Sequence, residues 1–254
     1  MAQKKVYFIS DMHLGNRYQQ NKPGTEKKLV QWLDKIKIDA EAIYFLGDVF
    51  DFWYELKYVV PRGHVRFLGK LAELSDLGIE IHLFLGNHDA WMGDYLPREI
   101  GVIIHKKPLT TNLLGKNFFL GHGDEVGYRP FLYRFIQTVF RSRISRILFA
   151  AIHPRWSFAF AYSWSLHSRK KGMTAEKLKN AQALNQKALE AFALSYLQTH
   201  PDIHFFMFGH LHSIANVAIT PSARLLIIGD WMFHFSYAVW DGDSLKLMIT
   251  PEKN

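Results

Sequence analysis

Five times in this chain a short apolar run breaks off and is followed at once by side chains that bind metals or move protons. Val6–Ser10 leads into Asp11-Met12-His13, Ala42–Leu46 into Gly47-Asp48, and Ile79–Leu85 into Gly86-Asn87-His88-Asp89. Asn117–Leu120 leads into Gly121-His122-Gly123-Asp124, and Ile203–Phe208 into Gly209-His210-Leu211-His212. A buried strand that ends this way delivers polar groups to one rim of a sheet. Repetition of the pattern from residue 6 to residue 212 means that one site is assembled from most of the chain.

The segments between these strands fix the fold class as α/β. Thr25–Ile36 is spaced as an amphipathic helix with Thr25 as its cap, and Arg66–Leu77 as a second helix closed by Gly78. Strands alternating with helices predict a parallel-rich sheet whose ligands gather at the carboxyl ends of its strands. From Gly101 the segments shorten. Val102–His105, Leu109–Leu114 and Asn117–Leu120, with a hairpin turn at Gly115-Lys116, are expected to begin a second sheet. Strands at His204–Phe208, Ile214–Thr220, Arg224–Ile228, Ser236–Trp240 and Leu245–Ile249 are expected to complete it, after a long helix over Thr174–Thr199.

Between the two groups of strands lies a stretch of unusual charge. Residues 126–175 contain nine arginines and lysines and no acidic residue, in a chain whose net charge is +8, so the basic excess is local. Phe131–Phe149 and Trp156–Leu166 read as helices of an inserted cap, about 126–173, within a single domain of 254 residues. Eleven aromatic residues share the stretch, a mixture suited to acyl chains beside a diphosphate or to an anionic bilayer surface rather than to a nucleic-acid groove. Ser168, Arg169, Lys170 and Lys171 are the candidate diphosphate grip.

The chain has no cysteine, which excludes disulfides and thiolate metal ligands and fits a reducing compartment. Val6–Ile9 is too short for a signal-peptide core, so no export is expected. No apolar run approaches the roughly 18 residues of a membrane span. Any membrane contact would be peripheral.

The candidate ligands are therefore Asp11, His13, Asp48, Asn87, His122, His210 and His212. Carboxylate, carboxamide and imidazole together suit divalent Mn, Fe, Co or Zn. In an extended segment Asp11 and His13 would point the same way, as would His210 and His212, so each pair can grip one ion. Seven ligands exceed the needs of one tetrahedral ion and match two that share a bridge, an arrangement suited to in-line displacement at phosphorus. His64, His82, His105, His153, His200, His204 and His234 lack this setting and read as structural. Asp51 and Asp124 read as groups that orient the ligands, and Asp230-Trp231 as lining or packing.

Asp-x-His, Gly-Asp-x-x-Asp, Gly-Asn-His-Asp, Gly-His and Gly-His-x-His, in this order, resemble the calcineurin-like metallophosphoesterases over Val6 to about His212. The resemblance implies a four-layer α/β/β/α sandwich. It implies one metal on Asp11, His13 and His212, a second on Asn87, His122 and His210, and Asp48 bridging them. His88 would face the phosphate, contacting substrate together with Asn87 and His210, and Asp89 would hold His88. Within the family, the stretch Leu46–Trp53, the basic insertion and the Asp-Met-His-Leu-Gly opening look most like the branch that cleaves UDP-2,3-diacylglucosamine to UMP and 2,3-diacylglucosamine 1-phosphate in lipid A synthesis. That branch implies two divalent ions, Mn²⁺ above all, a lipidated UDP-sugar, and peripheral attachment to the inner face of the cytoplasmic membrane. It carries Arg where this chain has His88. Two other functions compete: a broader phosphodiesterase or phosphatase acting on nucleotides or nucleic acid, and a binding module that has lost catalysis. The latter would be expected to lack His88 or Asp48, and neither is missing.

Overall fold

The computed structural model describes residues 4–16, 24–127, 131–153, 155–160, 163 and 175–250. In chain order the first half comprises β1 (Lys5–Ile9), α1 (Thr25–Ile36), β2 (Ala40–Phe45), α2 (Val65–Asp76), β3 (Glu80–Phe84), α3 (Tyr95–Ile100), β4 (Ile103–His105), β5 (Leu109–Leu113) and β6 (Lys116–Leu120). The helices α4 (Phe131–Arg141), α5 (Arg143–Ala151) and α6 (155–160) follow. The chain then runs through α7 (Ala175–Leu197), β7 (Ile203–Phe208), β8 (Ile214–Ala218), β9 (Arg224–Ile228), β10 (Ser236–Trp240) and β11 (Leu245–Ile249).

Two sheets form, with strand orders β11-β10-β1-β2-β3-β4 and β5-β6-β7-β9-β8. Strands β1 to β4 are mutually parallel, as are β6, β7 and β9. Alternation along each strand decides what each face covers. In β1, Val6 and Phe8 point between the sheets and meet Phe118, Leu120, Met207 and Leu226 of the second sheet. Tyr7 and Ile9 point the other way, onto Leu29, Trp32 and Leu33 of α1 and the apolar face of α2. On the far side of the second sheet, Phe119, Phe206 and Phe208 are covered by Leu189 and Ala193 of α7. The order is helix, sheet, sheet, helix, so the expected four layers are present. Phe8 stacks on Phe118 with ring centroids 5.6 Å apart at the centre of the middle layer. Truncating either ring would cost about 3–5 kcal/mol.

Three expectations need correction. Val102–His105, Ser236–Trp240 and Leu245–Ile249 do not belong to the second sheet: β4 extends the parallel run of the first, and β10 pairs antiparallel with the open edge of β1, carrying β11 with it. The pairing of Val6 with Trp240 joins strands at opposite ends of the chain, which local patterning cannot reveal. Thr25 is the first residue of α1 and makes no capping bond; Gly24 stands at the cap position. The apolar stretch Phe131–Phe149 is two helices broken at Ser142, whose hydroxyl accepts from the backbone N–H of Ser145 and starts α5.

Candidate metal centre

The parallel strands of both sheets end at a common rim, and there the chain turns abruptly. Asp11, His13, Asp48, His210 and His212 all have left-handed backbones, with φ between 43° and 66°. Non-glycine residues rarely adopt this region, and they are held in it only where the surroundings over-determine it. Backbone bonds supply that constraint. Asp11 donates to Gly47 O at 3.1 Å, His13 to Asp48 O at 3.0 Å, and Trp231 to Asp11 O at 3.2 Å. Asp11 and His13 therefore converge through a left-handed turn rather than by the alternation of an extended strand, and the same holds for His210 and His212.

The glycines of these motifs admit the close approach. A Cβ on Gly86 would overlap Asp48 Oδ1, and one on Gly209 would overlap the Ser10 hydroxyl and the Asp11 carboxylate.

Two clusters of carboxylate and imidazole result: Asp11, His13 and His212, and Asp48, His122 and His210, each with ligand atoms close enough to share an ion. A third grouping, His13, Asp51 and His88, adjoins the first through His13. His212 Nε2 lies 3.5 Å from Asp11 Oδ1, His13 Nε2 lies 3.6 Å from Asp48 Oδ2, and His122 Nε2 lies 3.5 Å from the same Asp48 oxygen. Asp48 thus stands between the clusters. Asn87 Oδ1 is 3.4 Å from His122 Nε2, which adds the carboxamide to the second cluster.

A divalent ion fits this donor set on two observations. Asp11 Oδ1 is fully buried and has no hydrogen-bond partner among the described residues, while Asp11 Oδ2 is occupied by the Ser10 hydroxyl at 2.6 Å and the His210 N–H at 2.8 Å. A buried carboxylate oxygen without a donor costs free energy that a cation would recover. The second is the tautomer of His122. Its Nδ1 lies 2.8 Å from the Leu46 carbonyl, which can only accept, so Nδ1 carries a proton and Nε2 is the nitrogen left to face Asp48 and Asn87 as a ligand.

Electrostatics agree. Burial alone would push Asp48 up, but His122 and His88 outweigh it and hold the carboxyl well below its usual range. Burial would push His122 down, but the charge of Asp48 raises it well above an ordinary imidazole, so the carboxylates draw positive charge to this ring, and a bound ion would take the place of the Nε2 proton. His210 is pushed down to about 4, first by burial and then by His122, which keeps it neutral as a ligand must be. Asp124 is buried and its charge acts on both His122 and His210. Asp51 Oδ1 lies 3.6 Å from His13 Nδ1 and 3.8 Å from His88 Nδ1.

His88 and Asp89 part company. The His88 ring is held by Asp51, whose carbonyl accepts from Nδ1 at 2.9 Å, and burial lowers its basicity. Asp89 turns away to the backbone: Oδ1 accepts from Gly86 N–H at 2.7 Å and Oδ2 from Val49 N–H at 2.8 Å, so it locks two ligand loops together. The expectation that Asp89 holds His88 is corrected on this point. Burial, then the charge of Asp48, raises the Asp89 carboxyl to about 7. Ser168, Arg169, Lys170 and Lys171 lie outside the described residues.

Sequence reasoning missed the role of one residue. Asp230 follows β9 and is fully buried; its Oδ1 accepts from the N–H groups of Met232, Phe233 and His234, and its Oδ2 lies 3.0 Å from His234 Nδ1 and 3.6 Å from His212 Nδ1. The signal was present, since Leu225–Ile228 ends in Gly229-Asp230 just as β2 ends in Gly47-Asp48.

Two mixed sheets, each parallel at its centre, bring carboxylates, imidazoles and a carboxamide to one buried rim, a donor set suited to metal-dependent hydrolysis of phosphoric esters and anhydrides. Comparison with known proteins makes the class specific. The profile of the family described as calcineurin-like phosphoesterase matches residues 4–214, and the chain belongs to that family. A protein of Porphyromonas gingivalis named UDP-2,3-diacylglucosamine hydrolase is 46% identical over 253 residues, covering 96% of both chains. One of the same name from Hahella chejuensis is 26% identical, covering 95% of both. Among solved structures, a dimetal phosphatase from Danio rerio aligns over 94% of this chain and 92% of its own, at 12% identity and a TM-score of 0.46.

Proposed function

We propose that this enzyme hydrolyses the pyrophosphate bond of UDP-2,3-diacylglucosamine, adding one water to give UMP and 2,3-diacylglucosamine 1-phosphate, a reaction of lipid A synthesis. The observation that carries this reading is the 46% identity, over nearly the full length of both chains, to a relative of that name. Asp11, His13 and His212 would hold one divalent ion, Asn87, His122 and His210 a second, and Asp48 would bridge them, with Mn²⁺ the first choice for the donor set. When bound, such a pair supplies a nucleophile at neutral pH and neutralises charge on the attacking and leaving oxygens.

The remaining chemistry falls to the chain itself. With Nδ1 given to the Asp51 carbonyl, His88 has only Nε2 left for substrate. Burial keeps the free imidazole neutral, and an arriving diphosphate, by its charge, favours protonation at Nε2, which turns His88 into a donor to the phosphate oxygens. Asp51, Asp124 and Asp230 orient the imidazoles, and Asp89 secures the loops that carry Asp48 and Asn87.

The chain acts as one domain in which residues of about 126–173 form a cap for the acyl chains, with Ser168, Arg169, Lys170 and Lys171 on the diphosphate. Phe131, Ile144, Leu148 and Trp156 are each more than 60% exposed, among the cations Arg143, Arg146 and Arg155. Apolar side chains interleaved with arginine suit a peripheral site on the anionic inner face of the cytoplasmic membrane. No helix among the described residues is long and apolar enough to cross a membrane.

Mass spectrometry of the products formed from UDP-2,3-diacylglucosamine and Mn²⁺ tests the reading, with Asp48→Asn as the control. UMP together with the lipid monophosphate, absent in the control, is expected. An intact substrate beside rapid hydrolysis of a simple phosphodiester would overturn it.

A further inference from the structure

A cleft of about 340 Å³ opens beside the ligand cluster, between the loop that follows β1 and the amino end of α2. His13 is among its lining residues, which sets the cleft beside the candidate metal centre, and Asn16, Glu26, Arg62 and His64 form much of its polar wall. The geometry points to this cleft as the seat of the ribonucleoside half of a nucleoside diphosphate substrate. The inference rests on the proposed function for the identity of that nucleoside, uridine.

Position is the first argument. The loop 50–54 turns its rings toward two different environments. Phe52 and Tyr54 meet the insertion, with Phe149 at 5.9 Å and 5.0 Å between centroids. Phe50 and Trp53 instead meet His64 of the cleft, at 4.9 Å and 6.5 Å. A substrate whose diphosphate lies at the centre has two halves of unlike chemistry. The aromatic insertion suits the acyl half, which leaves the cleft for the other.

Chemistry is the second. Two acyl chains would strip water from the Glu26 carboxylate and the Arg62 guanidinium and give neither a partner in return. A nucleoside gives both groups partners. Glu26 takes the Phe67 N–H on Oε1 at 3.1 Å, and a carboxylate has further lone pairs for ribose hydroxyls or an imide N–H. Arg62 donates to base carbonyls. The volume lies at the lower end of the small-molecule range, which suits a single nucleoside. Gly15, at φ 86°, lets the backbone pass close under the His64 ring; a Cβ there would come within 3.0 Å of it.

The test measures binding of UMP and of inorganic phosphate to the Mn²⁺-loaded full chain by calorimetry. Phosphate reports on the metal centre alone, so the ratio of the two affinities isolates the nucleoside contribution. The wild type should prefer UMP at least tenfold, and the ratio should fall at least tenfold in both Arg62→Ala, an exposed position that tolerates truncation, and Thr25→Phe, which fills the cleft. A wild type that binds UMP no better than phosphate, or a ratio unchanged in either variant, overturns the assignment. If the lipid is not cleaved and the ratio still behaves as expected, the cleft stands and the lipid reading falls.

Discussion

Asp230 places a fully buried carboxylate oxygen 3.6 Å from Nδ1 of His212, a residue whose Nε2 faces Asp11 across 3.5 Å. At that separation the pair makes no hydrogen bond, so the carboxylate acts on the ring through its charge, from the side opposite Asp11. Asp230→Asn keeps an acceptor for the three backbone N–H groups but removes the charge, so the fold should survive. Metal affinity is expected to drop about 10–100-fold. Metal analysis after dialysis, with activity followed across a Mn²⁺ titration, checks this; an unchanged Mn²⁺ dependence would show that His212 needs no such partner.

Two glycines should respond in opposite ways to the same substitution. Gly209→Ala drives a Cβ into Ser10 and Asp11, in a region with no room to relax, and should destabilise by about 1–3 kcal/mol and abolish metal-dependent turnover. Gly69 lies inside α2, and a methyl group added there would meet nothing within 4 Å, so Gly69→Ala should stabilise by about 0.5–1 kcal/mol. Urea unfolding of both variants decides the matter. A loss at Gly69 would mean that its surroundings are tighter than they look.

How far this was legible in advance follows from what is local and what is not. The strand ends that carry Asp11, Asp48, Asn87, His122 and His210 could be read from apolar runs breaking into polar residues. The left-handed backbones at Asp11 and Asp48 could not, because nothing about an Asp announces φ of 55° or 51°; the hydrogen bonds that impose it come from a neighbouring loop. Sheet membership failed for the same reason, since β10 finds β1 only in three dimensions. His234 looked structural because its partner, Asp230, had not been joined to His212. The Asp51–His88 bond was likewise hidden, as the sequence offered adjacent Asp89 as the simpler partner.

Stability should also fall in mild acid through a histidine pair away from the ligand cluster. His82 Nε2 lies 3.1 Å from Glu80, so it carries the proton, and His82 Nδ1 accepts from His105 Nε2 at 2.9 Å. Burial, then the charge of His82, pushes His105 down to about 4, and burial lowers His82 as well. The unfolded imidazole titrates near 6.5. Between these values the unfolded chain binds more protons, so the contribution is complete above about pH 6.5 and is lost as pH falls toward 4. At pH 5 the loss from His105 should be about 1–2 kcal/mol, allowing for its partial exposure. His105→Gln retains a donor but not the titration. Its melting temperature should drop about 2–5 °C less than that of the wild type between pH 7 and pH 5; parallel curves would remove His105 from the account.

Phe149 should be the anchor of the insertion. Its ring meets Trp91 at 4.8 Å, Tyr54 at 5.0 Å and Phe52 at 5.9 Å, and Tyr54 adds a hydrogen bond to the Arg146 carbonyl at 3.0 Å. Aromatic pairs of this kind contribute about 0.5–1.5 kcal/mol each beyond the area they bury. Most neighbouring side chains of α5, including Ile144, Ile147 and Leu148, face solvent and cannot replace them. Phe149→Ala should therefore loosen α5 while sparing the two sheets. Hydrogen exchange should speed up across Arg143–Ala151 and stay slow in β1 and β6, and KM for the lipid substrate should rise at least tenfold with the melting temperature little changed. Uniform loss of protection would instead mean that the helices and the sandwich unfold together, and that the insertion is part of the core rather than a cap resting on it.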